Sequence, residues 1–502
     1  AALTPFVYNG YSINPLAKSS IFSQIAAAAS LNGRIMVFIE LNGGNDGLNT
    51  VIPLDQYATL SNHRNGLLIP EQQVVNLDGV LGTGLHPSMS DIGNLYNEGL
   101  VSIVQNVGYP EQDYSHFRSM DIWMTASDSD QQLGTGWLGR TLEDKYPTFP
   151  EGFPNDETPD PLAIQIGSVA PVAFMGSNFP MGMAIADSDS FYDFVNDLIE
   201  PAPNTPYGDE LEYIRLVMQQ SEQYYDSIKN AAENSQNLSS KYPAGNDLAD
   251  QLRIVARLIA GGLQTPVYMV SIGGFDTHSE QAEGHAQLLN ELSTAICAFQ
   301  DDLELLGIDD KVCGMTFSEF GRTIGENGSQ GTDHGAAAPL IVFGKGVNPG
   351  IIGQNATIPG AIEESADVPM QNDFRQVYAS VLRDWFEIED FQSILNQDFE
   401  VLPIFREPTA TEEVAGIKDA FRVSNYPNPV SSTTTISFTS PNAHVVITLY
   451  DAQGRFMLKI AEGQYPAGMH RVRFDRSSLN SGNYFYQVKI NGIGVTKRML
   501  VI

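Results

Sequence analysis

The chain has 502 residues, enough for roughly two to four domains at about 150 residues each. Hydrophobic residues make up 42 % and charged residues 17 %, which excludes a disordered chain, and two cysteines are too few for a disulfide framework. Asp and Glu outnumber Lys and Arg by 60 to 27, a net charge of −33 that repels nucleic acid and anionic membranes and tolerates divalent cations.

Residues 1–30 are a mixed lead-in with a short alanine patch, Ala26–Ala29. They hold no charged segment followed by an apolar one, and no apolar run in the chain approaches the ~18–20 residues of a membrane span. Residues 31–405 read as an α/β domain, because short apolar runs alternate with Gly- or Asp-rich loops and helical periodicity. The strands are expected at Arg34–Leu41, Leu100–Asn106, Thr265–Ile272, Lys311–Phe317 and Pro339–Gly344. The helices are expected at Ser88–Glu98, Phe117–Ala126, Leu211–Glu233, Leu248–Gly262, Ser279–Leu306 and Phe374–Trp385. Continuous apolar strands separated by helices favour a mainly parallel sheet covered on both faces, with a ligand site beyond the carboxyl ends of the strands. Cys297 falls on an expected helix and Cys313 on an expected strand, so they form either one disulfide or two buried thiols.

Residues 127–210 are rich in Asp, Pro, Gly and Ser and read as an irregular excursion. Residues 406–420 read as a linker. From residue 421 the texture changes to alternating strands such as TTTISFTS, AHVVITLYD, FMLKI and HRVRFD, separated by turn signals, which predicts a small all-β sandwich of six or seven strands. Its motifs run in order: YPNP (426–429), LYDAQGR (449–455), YPAGMH (465–470), DRSSL (475–479), SGNYFY (481–486) and TKRMLVI (496–502). Over residues 421–502 this stretch resembles the type A sorting domain of type IX secretion cargo. The resemblance implies the type IX secretion machinery as a partner, a secreted or outer cell-surface location, and removal of any N-terminal export signal.

The larger domain has its own ordered motifs: GGNDGLNT (43–50), LHP (85–87), SHF (115–117), GGFDTH (273–278), EFGRT (319–323) and DHG (333–335). Over about residues 31–405 these resemble the family known as domain of unknown function 1501, related to the alkaline phosphatase and sulfatase superfamily. The resemblance implies an alkaline-phosphatase-like three-layer α/β/α fold.

On their own chemistry, these motifs supply metal ligands, an anion site and a nucleophile. Asp46, in a Gly-rich loop after the first strand, is either a carboxylate ligand or a turn residue. Asp333 and His334 can converge on one ion, with Gly335 allowing the bend. The superfamily resemblance places these two with Asp46 around one metal, and Asp276 with His278 around a second. The superfamily spacing there is Asp-x-x-x-His, whereas Asp276 and His278 are two apart, so both can bind only if the loop bends. His285 lies seven residues on and either helps at that second metal or, as expected, is a solvated helix residue, and His86 is expected to be structural.

Ser115 sits where the superfamily places its nucleophile, at a helix start whose amides favour an anionic oxygen; the alternative is a plain helix cap. His116 is a candidate ligand, acid/base or phosphate partner. Arg118, Arg140 and Arg322 are candidate anion clamps, with Arg322 alternatively paired to Glu319. The superfamily's further metal-binding His after Asp-His-Gly is missing, since only His444 and His470 follow His334. That leaves one metal, a site rebuilt with His116 or His86, or no catalysis. The resulting expectation is a divalent-metal (Zn, Mn or Ca) hydrolase of phosphate or sulfate esters, small or glycan-borne. The alternatives are a non-catalytic surface binding protein and a component of the secretion machinery.

Overall fold

The computed structural model describes residues 30–155, 158–185, 224–363, 365–406, 421–451, 455–476, 479–490 and 493–501, with two short strands at 6–8 and 11–13. It divides into two compact units, one of residues Gly33–Arg406 and one of residues 1–32 together with 407–502. Among the described residues no helix is long and apolar enough to cross a membrane.

The larger unit is built on one mixed sheet. Its strands are β1 (Ile35–Asn42), β2 (Val101–Gly108), β3 (Ala163–Ile166), β4 (Met183–Ile185), β5 (Val267–Gly273), β6 (Val312–Phe317), β7 (Ala338–Gly344), β8 (Gly350–Ile352) and β9 (Asn372–Asp373). Their order is β8–β2–β7–β6–β1–β5–β3–β4, with β9 also on β2. The central strands β6, β1, β5 and β3 are mutually parallel, while β7 runs antiparallel to both β6 and β2. The start of β7 therefore shares an edge of the sheet with the ends of β1, β5 and β6.

Helices cover both faces, as near-continuous apolar strands require. Val37, Ile39 and Leu41 of β1 join a core with α1 (Ser90–Asn97), α4 (Asp247–Ala260) and α5 (Gln281–Leu306). On the opposite face Phe38 meets Trp137 edge-on at 5.6 Å. Trp137 of α3 (Trp137–Lys145) stacks on Tyr378 of α6 (Phe374–Ser380) at 4.0 Å, and Trp123 of α2 (His116–Thr125) stacks on Phe374 at 4.5 Å. These layers are the α/β/α arrangement expected from the sequence.

The irregular excursion expected over residues 127–210 holds α3, β3 and the edge strand β4 among its described residues, and 186–210 lie outside them. The strand AIQI has only four residues and follows Pro161, so the surrounding Pro and Asp composition hides it. The expected helix Leu211–Glu233 lies outside the described residues up to 223 and is helical from 224. Cys297 and Cys313 are both free thiols.

In the smaller unit, Phe6–Tyr8 pairs antiparallel with Tyr11–Ile13. The C-terminal sheet is antiparallel throughout, with β10 (Ser424–Tyr426), β11 (Thr433–Tyr450), β12 (Phe456–Asp475), β13 (Gly482–Ile490) and β14 (Ile493–Val501). Among the described residues the six or seven strands expected are five, because β11 and β12 run 18 and 20 residues through what the sequence presents as separate pieces. On β11 the buried residues are even-numbered through Ile436, Phe438 and Ser440, then odd through Ala443, Val445, Ile447 and Leu449. The switch falls at Asn442, whose φ of +66° turns the corner and keeps both halves facing one core.

Candidate metal centre

Four loops meet at the shared edge of the sheet. β1 ends in Gly43, with φ +124°, and a Cβ there would lie 2.2 Å from Asp276 N, so only glycine lets the loops after β1 and β5 touch. Gly335 is needed for the same reason, since its Cβ would lie 2.4 Å from the Arg322 carbonyl carbon. Arg322 is 1 % exposed and gathers the loops: it donates to Gly44 O (2.9 Å), Thr332 O (2.9 Å), Phe275 O (3.1 Å), Gly43 O and Asp276 Oδ1 (2.6 Å).

His116, Asp276 and His334 each direct a ligand atom to one point, within 4.8 Å of one another. His278 joins them. The Nε2 atoms of His116, His278 and His334 lie 3.6, 3.2 and 3.3 Å from Asp276 Oδ1, and those of His278 and His334 are 2.9 Å apart. The loop bends so that Asp276 and His278 face the same way: Thr277 N–H donates to Phe275 O (2.8 Å) and His278 N–H to Asp276 O (3.2 Å).

Each of the three rings has its Nδ1 engaged elsewhere. His116 Nδ1 lies 2.8 Å from Glu319 Oε1, His278 Nδ1 3.0 Å from Asp333 Oδ1, and His334 Nδ1 2.7 Å from the Tyr114 carbonyl. These acceptors assign Nδ1–H to every ring and leave every Nε2 a lone pair. Lone pairs gathered this closely around a carboxylate oxygen favour a cation among them, either a proton on one ring or a metal ion. Engaged Nδ1 atoms are also the usual support of metal-ligating histidines, fixing the tautomer and raising ligand basicity.

The electrostatics favour this state. Partial burial works against the charge on Asp276, but the hydrogen bond and charge of Arg322 outweigh it and hold the carboxyl below its ordinary range. Burial lowers the basicity of His334, which works against a charge on the ring. Asp333 also stays below the usual carboxylate range, as hydrogen bonds from Asn327 and His278 overcome its desolvation.

Asp46 is not brought to this point. Its carboxylate is fully buried and receives Arg64 Nη1 at 2.9 and 2.8 Å, with Gln281 Nε2 on the second oxygen. His285 departs from the solvated residue expected: it is 1 % exposed, 3.1 Å from Asn45 Oδ1, and burial depresses its pKa to about 4. It lies four residues before Leu289 on the apolar face of α5, a position its polarity disguises in the sequence. His86 is structural, accepting the Ser88 N–H at 3.1 Å, and burial lowers its pKa to about 4.

Ser115 stands exposed at the N-cap of α2 without a side-chain cap bond, one residue before His116. The arginines offered as anion clamps are engaged by the protein. Arg118 binds Asp121 and the carbonyls of Asp128 and Ser129; Arg140 binds the carbonyls of Thr125, Thr135 and Ile394. Arg322 pairs with Asp276 rather than Glu319, which instead holds His116 and the Gly43 N–H. Asp333 stands behind His278 rather than beside His334 at the point of convergence. The orienting roles of Glu319, Asn327 and the Tyr114 carbonyl have no signal in residue type or spacing.

A family model described as "Protein of unknown function (DUF1501)" matches residues 34–397, and one described as "Secretion system C-terminal sorting domain" matches 424–502. No curated protein matches the chain. Among solved structures it is similar to the PsFucS1 sulfatase from Pseudoalteromonas sp., at 11 % identity over 93 % of this chain and 89 % of that one, TM-score 0.33. A protein in the alkaline phosphatase superfamily from Vibrio parahaemolyticus gives 12 % identity, 90 % and 91 % coverage and a TM-score of 0.33. PorZ, a surface component of the type IX secretion system of Porphyromonas gingivalis, gives 18 % identity over 20 % of this chain and 13 % of that one, TM-score 0.13. At these TM-scores the structural likenesses carry no argument.

Proposed function

The chain belongs to the family described as protein of unknown function (DUF1501) and ends in a type IX secretion sorting domain that takes it out of the cell, and for this exported member we propose a single-metal hydrolase of phosphate or sulfate esters. The observation that supports the reading is the convergence of His116, His278 and His334 Nε2 on Asp276 Oδ1 while every Nδ1 is already engaged. These four side chains would hold the ion. Three imidazoles and one carboxylate fit Zn²⁺ better than Ca²⁺, which prefers an all-oxygen shell.

A divalent cation held there would supply a Lewis acid to polarise a phosphoryl or sulfuryl oxygen and offset its charge. Glu319, Asp333 and the Tyr114 carbonyl keep the rings oriented. Arg322 keeps Asp276 ionised and the three loops together. Ser115, exposed at the start of α2 with its hydroxyl free of the cap, is the candidate nucleophile, with water as the alternative.

The test is metal analysis of the purified protein, then hydrolysis of aryl phosphates and sulfates with added Zn²⁺, Mn²⁺ or Ca²⁺. The proposal expects about one ion per chain and turnover that disappears in His334→Ala; a protein that takes up no ion and turns over neither ester refutes it. A second reading, a metal-binding surface protein without turnover, draws on the engagement of Arg118, Arg140 and Arg322 by protein acceptors. It expects metal uptake with no hydrolysis, and Ser115→Ala without consequence.

A further inference from the structure

Three of the four converging side chains ride on two loops that leave different strands: 276–278 follows β5 and 332–334 precedes β7. Each loop alternates outward ligand groups with an inward threonine. In Asp276-Thr277-His278 the middle residue is 8 % exposed, and Thr332, ahead of Asp333 and His334, is fully buried. Both hydroxyls reach one atom: Thr277 Oγ1 donates to Gln281 Oε1 at 3.0 Å and Thr332 Oγ1 at 2.6 Å. Gln281, the first residue of α5, is itself fully buried, and its Nε2 donates to Asp46, which the Arg64 guanidinium pins from the other side.

We propose that Gln281 is a positioning residue for the metal centre, a clasp that sets the separation of the two ligand-bearing loops and is aligned by the buried Asp46–Arg64 pair. The inference rests on the metal reading given above. The carboxylate sets the arrangement. Asp46, paired with Arg64, can only accept, so the amide nitrogen of Gln281 must face it and the amide oxygen is left to accept from both threonine hydroxyls. The Asp46 carboxyl meets this demand: burial opposes its charge, but Arg64 and Gln281 hold it below the usual range. The conserved geometry of metal coordination tolerates about ±0.2 Å in ligand distance, so a clasp joining both loops acts directly on affinity. The carboxylate in the first Gly-rich loop then serves the ion at one remove, through Gln281 and two threonines, rather than by touching it.

The test uses the full chain and Zn²⁺ alone, with affinity measured by chelator competition and folding followed by circular dichroism. Thr332→Val keeps the shape of the side chain and loses the hydroxyl; Thr332→Ser keeps the hydroxyl. The proposal expects Gln281→Leu and Thr332→Val to weaken Zn²⁺ binding about 10- to 100-fold, as removal of supporting partners does at other metal sites, and Thr332→Ser to bind within about threefold of the parent. Parent-like affinity in a folded Gln281→Leu, or in Thr332→Val, overturns it. If Gln281→Leu fails to fold, the Val and Ser variants of Thr332 decide: equal affinities overturn the clasp, and a gap of about tenfold or more supports it. A parent protein that binds no Zn²⁺ overturns the metal reading itself, an outcome distinct from parent binding that the variants leave unchanged.

Discussion

Replacing Arg64 by methionine removes one half of a fully buried ion pair and leaves the apolar stem in place. The guanidinium makes four described hydrogen bonds: two from Nη1 to Asp46 at 2.9 and 2.8 Å, one from Nε to Ile324 O at 2.8 Å and one from Nη2 to Thr323 O at 2.6 Å. Methionine supplies none. Breaking a buried pair from one side costs about 3–5 kcal/mol, because the remaining charge has neither water nor partner, and each orphaned carbonyl adds about 1–3 kcal/mol before local relaxation. Protonation of Asp46 limits the total, so Arg64→Met should destabilise the large unit by about 4 kcal/mol at pH 7. The loss should shrink toward pH 5, where the stranded carboxyl takes up a proton. Tryptophan fluorescence in urea reports this unit alone, since Trp123, Trp137 and Trp385 all lie within Gly33–Arg406. The double variant Arg64→Met/Asp46→Asn should fall short of the sum of the singles by about 2 kcal/mol. A loss below about 1 kcal/mol for Arg64→Met refutes the reasoning, because it would mean that Asp46 does not depend on Arg64 and is available to bind an ion directly.

The remaining predictions concern the ion, pH, packing and export. His278→Ala and His334→Ala should abolish Zn²⁺ binding, and Asp333→Ala should weaken it about 10- to 100-fold by releasing the His278 ring, as read by calorimetry. Acid should destabilise the large unit through His285. Its folded pKa of about 4 lies below the unfolded 6.5, so between those values the unfolded chain binds the extra proton and stability falls as pH drops. The loss reaches on the order of 3 kcal/mol by pH 4, and urea midpoints of His285→Gln should show a shallower slope across that window. Gly335→Ala should cost about 1–3 kcal/mol and Zn²⁺ affinity together, because its Cβ meets Arg322 backbone rather than a movable side chain. Deleting residues 421–502 should leave the protein inside the cell, as cell fractionation would show.

The two architectures and most elements could be read from pattern because their physics is local. Within RIMVFIEL, residues 35–39 form an unbroken apolar run, which demands cover on both faces, and β1 has it. α5 keeps its apolar spacing over 26 residues. β3 and β4 were hidden because three- and four-residue strands carry little periodicity amid Pro and Asp. For the candidate site, the sequence offered the chemical groups but not their assignment. Asp46 and Asp276 both follow a Gly-Gly step and both meet a guanidinium, yet Asp46 is closed off by Arg64 and Gln281 while Asp276, held by Arg322, also faces imidazoles. That difference comes from partners brought in by the fold, at separations such as 18 residues for Arg64–Asp46 and 203 for His116–Glu319. The direction of β7 mattered as well: only because it is antiparallel does the motif before it reach the edge where β1, β5 and β6 end.

The most direct test of the metal centre is X-ray absorption spectroscopy of the Zn²⁺-loaded full chain. The geometry predicts one zinc per chain with three imidazole nitrogens and carboxylate oxygen in its shell, and loss of that signature in His116→Ala, His278→Ala and His334→Ala alike. A shell without imidazole, or one unchanged in those variants, would contradict it.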